Sequence, residues 1–423
     1  MIRRRIVKKS KVWMLFGLCW VVYFSSYLGR LNFSGVMSQM MAENLMDKSQ
    51  AGLVNTVFFV AYAAGQLING VLGDRCSPRW MLFIGCMGAG ICNLMGGFTQ
   101  NFGVILLLRA LDGYFMAMLW PPVLRIFAEM LTSKDMVRCS IHMTSAVAAG
   151  TLGAYLLSAA MLEWFGWRAA FYAPGLWLML ISVVWVVGFG YLQTYCQREG
   201  VEEEGEQTGP ASQSTQPRLS FWTMMTIPGV LMMLVPVVMH GVLKDGVTSW
   251  VPAYITENFH TDPAFSVLVT TLLPVVNLTG AVAAQFVYNK ISRNEFTASA
   301  LFFALAIAAL SALLLWGQNS LVLTLVLFAL ITSSTLAINT LLVSILPLRF
   351  ERYGRSSSLS GALNAVAYAG SAAAAAAIGF LSQRFGWGAT IFSWLAITVV
   401  ALIFCLAGTK SRLDVKQNQA GSL

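Results

Sequence analysis

The chain has 423 residues, of which 57% are hydrophobic and only 11% charged, with a formal net charge of +9. An average soluble domain is about 25% charged, so this composition excludes an ordinary water-soluble fold and leaves a polytopic membrane protein. An excess of Lys and Arg is what the cytoplasmic loops of such a protein carry, and it gives no reason to expect a nucleic-acid partner.

Charge-free runs recur at 49–73, 80–108, 139–162, 169–197, 219–243, 263–289, 296–348, 356–383 and 385–409. A bilayer-spanning helix takes about 20 mainly apolar residues. The runs 80–108 and 296–348 divide at Thr99-Gln100-Asn101 and Gly317-Gln318-Asn319, which predicts twelve helices starting near 13, 51, 80, 103, 139, 169, 221, 264, 296, 320, 356 and 387. The expected fold class is an all-α membrane protein of twelve transmembrane helices in two pseudo-symmetric six-helix bundles. The start MIRRRIVKKSK leads into a long apolar run with no small-residue cleavage site, so it reads as a retained first helix. The predicted inner segments hold most of the Lys and Arg, and the outer loops only Lys48, Arg168 and Arg384, which puts both termini in the cytoplasm.

In the first helix, Arg30 is the only charge between Val12 and Ala42. A cation at the centre of a membrane helix costs roughly 2.5–3.5 kcal/mol on insertion scales, unless a cavity and a partner compensate it. Tyr23, Tyr27 and Asn32 lie near it in sequence and read either as lining or as packing. The fourth helix carries Arg109 and Asp112, three residues apart and so able to face each other as a structural ion pair. Trp120-Pro121-Pro122 follows on the same helix, and the prolines predict a kink there, as do Pro228, Pro236 and Pro252 in the seventh. Ser145 sits on the fifth helix.

Residues 196–220 are polar, acidic and rich in Gly, Ser, Gln and Pro, the composition of a flexible linker. They separate a bundle at 1–195 from a second at 221–423. In the seventh helix Lys244 and Asp245 interrupt the run from Leu219 to Thr256. Lys244 reads as an anion ligand or as a partner of Asp245, although neighbours i and i+1 point to different faces of a helix. Arg30 likewise reads as an anion ligand or as a partner of Asp245 or Asp112. His240, four residues before Lys244, either faces the same cavity or is hydrogen-bonded within the bundle. The small residues Gly370 to Ala377 suit close helix packing.

The two halves repeat. Phe165-Gly166-Trp167 recurs as Phe385-Gly386-Trp387 at a shift of 220, Asp74-Arg75 as Asn289-Lys290 at 215, and Arg30 as Lys244 at 214. A duplicated membrane protein with one buried cation per half is suited to holding an anion. The cysteines show neither metal-ligand nor disulfide spacing. No nucleophile triad, zinc cluster or phosphate-binding Gly-rich loop is legible, so neither enzyme chemistry nor a cofactor is expected. Gradients would then supply the energy.

The segment Gly70-Val71-Leu72-Gly73-Asp74-Arg75-Cys76-Ser77-Pro78-Arg79 resembles the loop signature G-x-L-x-D-R-x-x-x-R of the major facilitator superfamily. Within that superfamily the chain is most similar to the organophosphate:phosphate antiporters, which include the glycerol-3-phosphate and hexose-phosphate transporters. The resemblance is carried by Tyr27-Leu28-Gly29-Arg30-Leu31-Asn32-Phe33, Trp120-Pro121-Pro122, Trp250-Val251-Pro252-Ala253-Tyr254 and Phe385-Gly386-Trp387. It implies a mid-membrane substrate site opened to each side in turn, with Arg30 on the first helix and Lys244 on the seventh binding a phosphate group. Lys244 stands where those transporters carry Arg, Ser145 where one carries His, and Leu31 where one carries a second Lys.

Gly70, Asp74, Arg75 and Arg79, with Arg125 and Glu129, are expected to form a cytoplasmic gate, and Tyr27, Asn32, Trp120, Ser145 and His240 to join the site. The expected partners are a small anionic solute and the lipid bilayer, in a monomeric inner-membrane protein. Three functions fit: exchange of a phosphate ester for inorganic phosphate, proton-coupled carriage of a carboxylate, and a non-transporting sugar-phosphate sensor.

Overall fold

The structure, a computed structural model, describes residues 3–203, 220–353 and 356–410, nearly all of them helical. The chain divides into two compact units, Met1–Thr208 with Ile255–Pro274, and Gly209–Tyr254 with Val275–Leu423. The first unit thus takes in a stretch from the second half of the sequence.

The N-terminal half runs α1 (Lys9–Ala42), α2 (Lys48–Arg75), α3 (Pro78–Phe98), α4 (Phe102–Met116), α5 (Trp120–Met130), α6 (Ser133–His142), α7 (Thr144–Phe165) and α8 (Ala169–Glu199). Asp47 and Gln50 close a reciprocal capping box on α2, and Asn101 caps α4 through the Val104 amide. Pro121 and Pro122 fall in the first turn of α5, where a missing N–H costs no hydrogen bond, so the fourth span breaks before them instead of bending through them.

The C-terminal half runs α9 (Phe221–Met225), α10 (Pro228–Gly241), α11 (Thr248–Phe259), α12 (Pro263–Thr270), α13 (Leu272–Lys290), α14 (Glu295–Trp316), α15 (Leu321–Asn339) and α16 (Ser356–Gly408). Two π-helical turns, Val242–Val247 and Thr340–Ile345, continue α10 and α15. Neither is visible in the sequence pattern. Pro228 opens α10, while Pro236 and Pro252 lie inside α10 and α11.

Among the described residues, eleven helical stretches are long and apolar enough to cross a bilayer, the last being the 50 residues Leu359–Gly408. Gly386, at φ 78° and ψ −179°, breaks that stretch in two, which makes twelve spans. This backbone region is essentially open to glycine alone.

The repeat read from sequence recurs in backbone detail. Gly166 has φ 77° and Gly386 φ 78°, each followed by a buried Trp. Asn44 and His260 are the positive-φ residues other than glycine among those described, at φ 57° and 51°. Asp47 caps α2 and Asp262 caps α12. Equivalent positions carry equivalent turn chemistry, which matched composition alone would not produce.

The polar stretch 196–220 is only partly described. Its first residues finish α8, and Val201–Glu203 pairs antiparallel with Arg3–Arg5, Arg5 opposite Val201. The Ile6 amide then donates to the Met130 carbonyl at 2.8 Å, and Lys9 to Asp135 at 2.9 Å. The rest of the expected linker, 204–219, lies outside the described residues.

Candidate functional site

Within the first unit, one strip of α1 gathers most of the candidate side chains. Trp20, Tyr23, Phe24, Tyr27 and Arg30 recur at helical spacing and so share a face. Trp20 stacks on Phe24 at 5.3 Å and donates its indole N–H to Ser145 Oγ at 2.9 Å. Tyr23 meets Trp120 at 4.8 Å and Tyr27 at 5.7 Å. Arg30 is only 8% exposed, and its guanidinium lies 4.7 Å from the Tyr62 ring and 5.6–5.9 Å from those of Tyr27, Phe59 and Phe58. Aromatic faces attract a cation most when water is excluded, at about 2 kcal/mol or more per contact. The α2 set Phe58, Phe59 and Tyr62 was not foreseen, because in a membrane helix an aromatic residue does not reveal what it packs against.

Asn32 does not join this strip. It is buried on the side facing α3 and α8, donating to Asn93 Oδ1 at 2.7 Å and to the Ala170 carbonyl at 3.2 Å. Asn93 donates in turn to Asp112 Oδ1 at 3.2 Å, and Asp112 pairs with Arg109 at 2.7 Å. Arg109 also donates to the backbone carbonyl of Arg30 at 3.3 Å and lies 4.4 Å from the Phe58 ring. This chain of buried polar groups ties α1, α3, α4 and α8 together just behind Arg30.

In the second unit, Lys244 and Asp245 sit in the π-helical turn Val242–Val247. Such turns are rare and recur at functional sites. The Lys244 ammonium lies 4.0 Å from Asp245 and 5.4 Å from the Tyr368 ring of α16. Asp245 accepts a 2.7 Å bond from Ser371. His240 is buried at the end of α10. Three small-residue contacts bring α16 this close: Gly370 against Val238, Ala367 against Gly241, and Ala374 against Gly246. The glycine and alanine run at 370–377 therefore does pack helices closely. It also carries Ser371 to Asp245.

At the end of α2, Gly70 and the side chains of Asp74 and Arg75 lie outside the described residues, although the backbone there closes the helix. Arg79 donates to the Val186 carbonyl at 2.8 Å. Arg125 bonds Glu129 at 2.7 Å and the Cys76 carbonyl at 2.9 Å. In the second unit Arg349 bonds Glu295 and the Arg293 carbonyl, at 2.8 and 3.0 Å. Each unit thus has an Arg latched to the loop after its second span.

The description "Major Facilitator Superfamily" matches residues 19–369. A probable hexose phosphate transport protein of Chlamydia trachomatis is 22% identical, covering 95% of this chain and 92% of its own. A glycerol-3-phosphate transporter of Bacillus subtilis is also 22% identical, covering 94% and 92%. The membrane sensor protein UhpC of Salmonella typhimurium is 21% identical over 68% of this chain and 67% of its own. Among solved structures, a bacterial homolog to the human lysosomal transporter Spinster superposes with a TM-score of 0.78 at 14% identity, covering 94% and 97%.

Proposed function

The chain belongs to the Major Facilitator Superfamily, and on that premise we propose that it exchanges a small phosphate ester for inorganic phosphate by alternating access. It is a multi-pass integral membrane protein. In this reading it resides in the inner membrane as a monomer with both termini cytoplasmic. Arg30 and Lys244 supply the positive charge that recognises the anion.

The observation that carries the reading is the buried guanidinium of Arg30, held among four aromatic rings in an otherwise apolar span. Burial of such a cation is costly, and anion recognition gives a reason for it. A guanidinium clamps phosphate through two parallel hydrogen bonds, whereas Lys244 adds a point charge. The names of the Chlamydia and Bacillus relatives, transporters of hexose phosphate and glycerol 3-phosphate, support the same substrate class. With the Arg30 charge held in an apolar span an empty site resists reorientation, and either anion relieves it, which favours exchange over net flow. Tyr27 and Trp120 would face the organic part of the ester.

The likeness to UhpC supports a second reading, a sensor that binds a sugar phosphate without carrying it. Proteoliposomes loaded with labelled inorganic phosphate separate the two. Efflux that requires an external phosphate ester supports exchange. Ester binding with no efflux transfers the assignment to a sensor, and no interaction with any phosphate compound refutes both.

A further inference from the structure

We propose that Asp245 is a built-in counter-ion for Lys244, presented by Ser371, and that it biases the second unit toward singly charged phosphate species. The inference rests on the anion-recognition role of Lys244 given above.

Asp245 is held from two sides. One oxygen lies 4.0 Å from the Lys244 ammonium, at the outer limit of an ion pair, and the other accepts the 2.7 Å bond from Ser371. Ser371 is itself buried, and its hydroxyl also lies 3.1 Å from the Gly241 carbonyl just before the turn. The close approach of α16 at Gly241 and Gly370 fixes that hydroxyl, since a Cβ at either glycine would run into opposing backbone. Both charged side chains retain access to open space, Lys244 at 33% and Asp245 at 17% exposure. An anion can reach the ammonium, but it meets a fixed carboxylate beside it. Among the described residues, Tyr368 on α16 and His240 on α10 also lie near this pair, and α15, which packs on the same turn, carries no titratable residue.

Lys244 and Asp245 together are formally neutral. Coulomb energy scales with the charge of the incoming anion. Cancelling one cation therefore removes twice as much attraction from a dianion as from a monoanion. A phosphate monoester is largely dianionic at pH 7.5, its second pKa being about 6. A phosphodiester remains a monoanion.

The test measures displacement of labelled inorganic phosphate from the purified full chain at pH 7.5, by methyl phosphate and by dimethyl phosphate. Asp245→Asn is expected to strengthen dimethyl phosphate binding about fivefold, and methyl phosphate binding about 25-fold through its doubled charge. Adding Lys244→Gln to Asp245→Asn is expected to return the ratio of the two affinities to the wild-type value. If Asp245→Asn does not fold, Lys244→Gln alone is expected to shift the ratio the opposite way. Equal gains for both esters, or no gain, would overturn the counter-ion role. If wild-type protein binds no phosphate, the anion-recognition reading itself fails, which is a separate result.

Discussion

An arginine in an apolar span needs something to hold it, and the surroundings of Arg30 do so in two ways. Rings from α1 and α2 surround its guanidinium, while Arg109 fixes its backbone carbonyl from behind. If the head group binds phosphate through a bidentate fork, charge alone is not enough. Arg30→Lys keeps the charge but loses a charge-assisted hydrogen bond, each such bond being worth about 1.5–3 kcal/mol. Phosphate binding to that variant is expected to weaken at least tenfold, and binding to Arg30→Ala to vanish, with helical content unchanged by circular dichroism. Normal phosphate binding by Arg30→Ala would remove Arg30 from the site. The neighbouring Arg109–Asp112 pair should behave differently, because its charges are spent on each other at 5% and 2% exposure. Asp112→Ala leaves a buried cation and is expected to destabilise by about 3–5 kcal/mol. Arg109→Leu combined with Asp112→Ala is expected to recover much of that loss in a detergent melting experiment. A double variant as unstable as Asp112→Ala alone would mean that Asp112 acts through Asn93 instead.

At the scale of elements, the two Phe-Gly-Trp corners carry the clearest prediction. Gly166 and Gly386 adopt nearly the same positive-φ, extended-ψ conformation, which costs a side-chain-bearing residue about 1–3 kcal/mol. Gly166→Ala and Gly386→Ala should each lower thermal stability by that amount. Because nothing stands where either Cβ would go, the effect would be conformational strain and not a clash. A melting temperature unchanged in both variants would mean that the corners relax freely. These corners were legible in the sequence because a repeated tripeptide marks a repeated backbone need. The spans were legible too, since charge-free runs broken by polar triplets map directly onto bilayer-length helices. The π-helical turns were not. They change no composition, and they depend on how α10 and α15 meet their neighbours. For the same reason Ser371 could be read only as filler in a small-residue run, and Asn32 only as a neighbour of Arg30. Which face each presents is decided by packing, not by spacing to a charge.

For the whole molecule, the most consequential feature is that the compact units and the sequence halves differ. Ile255–Pro274 follows the seventh span's cation yet packs within the first unit. Val267 joins Tyr155 and Ala159 of α7 in one buried cluster, and Glu257 pairs with Lys48 at 2.6 Å. The ion pair is partly exposed and contributes about 1 kcal/mol at most. The apolar cluster matters more, because Val267 is fully buried in it and its side chain reaches α1 as well, 3.7 Å from where a Cβ on Gly35 would stand. A fragment ending before residue 209 would therefore expose surface that the intact chain buries. The fragment 1–208 expressed alone is expected to be degraded or to aggregate, and co-expression with 209–423 to restore a folded, phosphate-exchanging pair. Val267→Asp in the second fragment should abolish that rescue, by placing a charge in the cluster without altering the cations at Arg30 or Lys244. If the first fragment is stable and monodisperse without its partner, the packing of Ile255–Pro274 is dispensable. The halves would then fold independently, as the sequence boundary at the polar linker suggests.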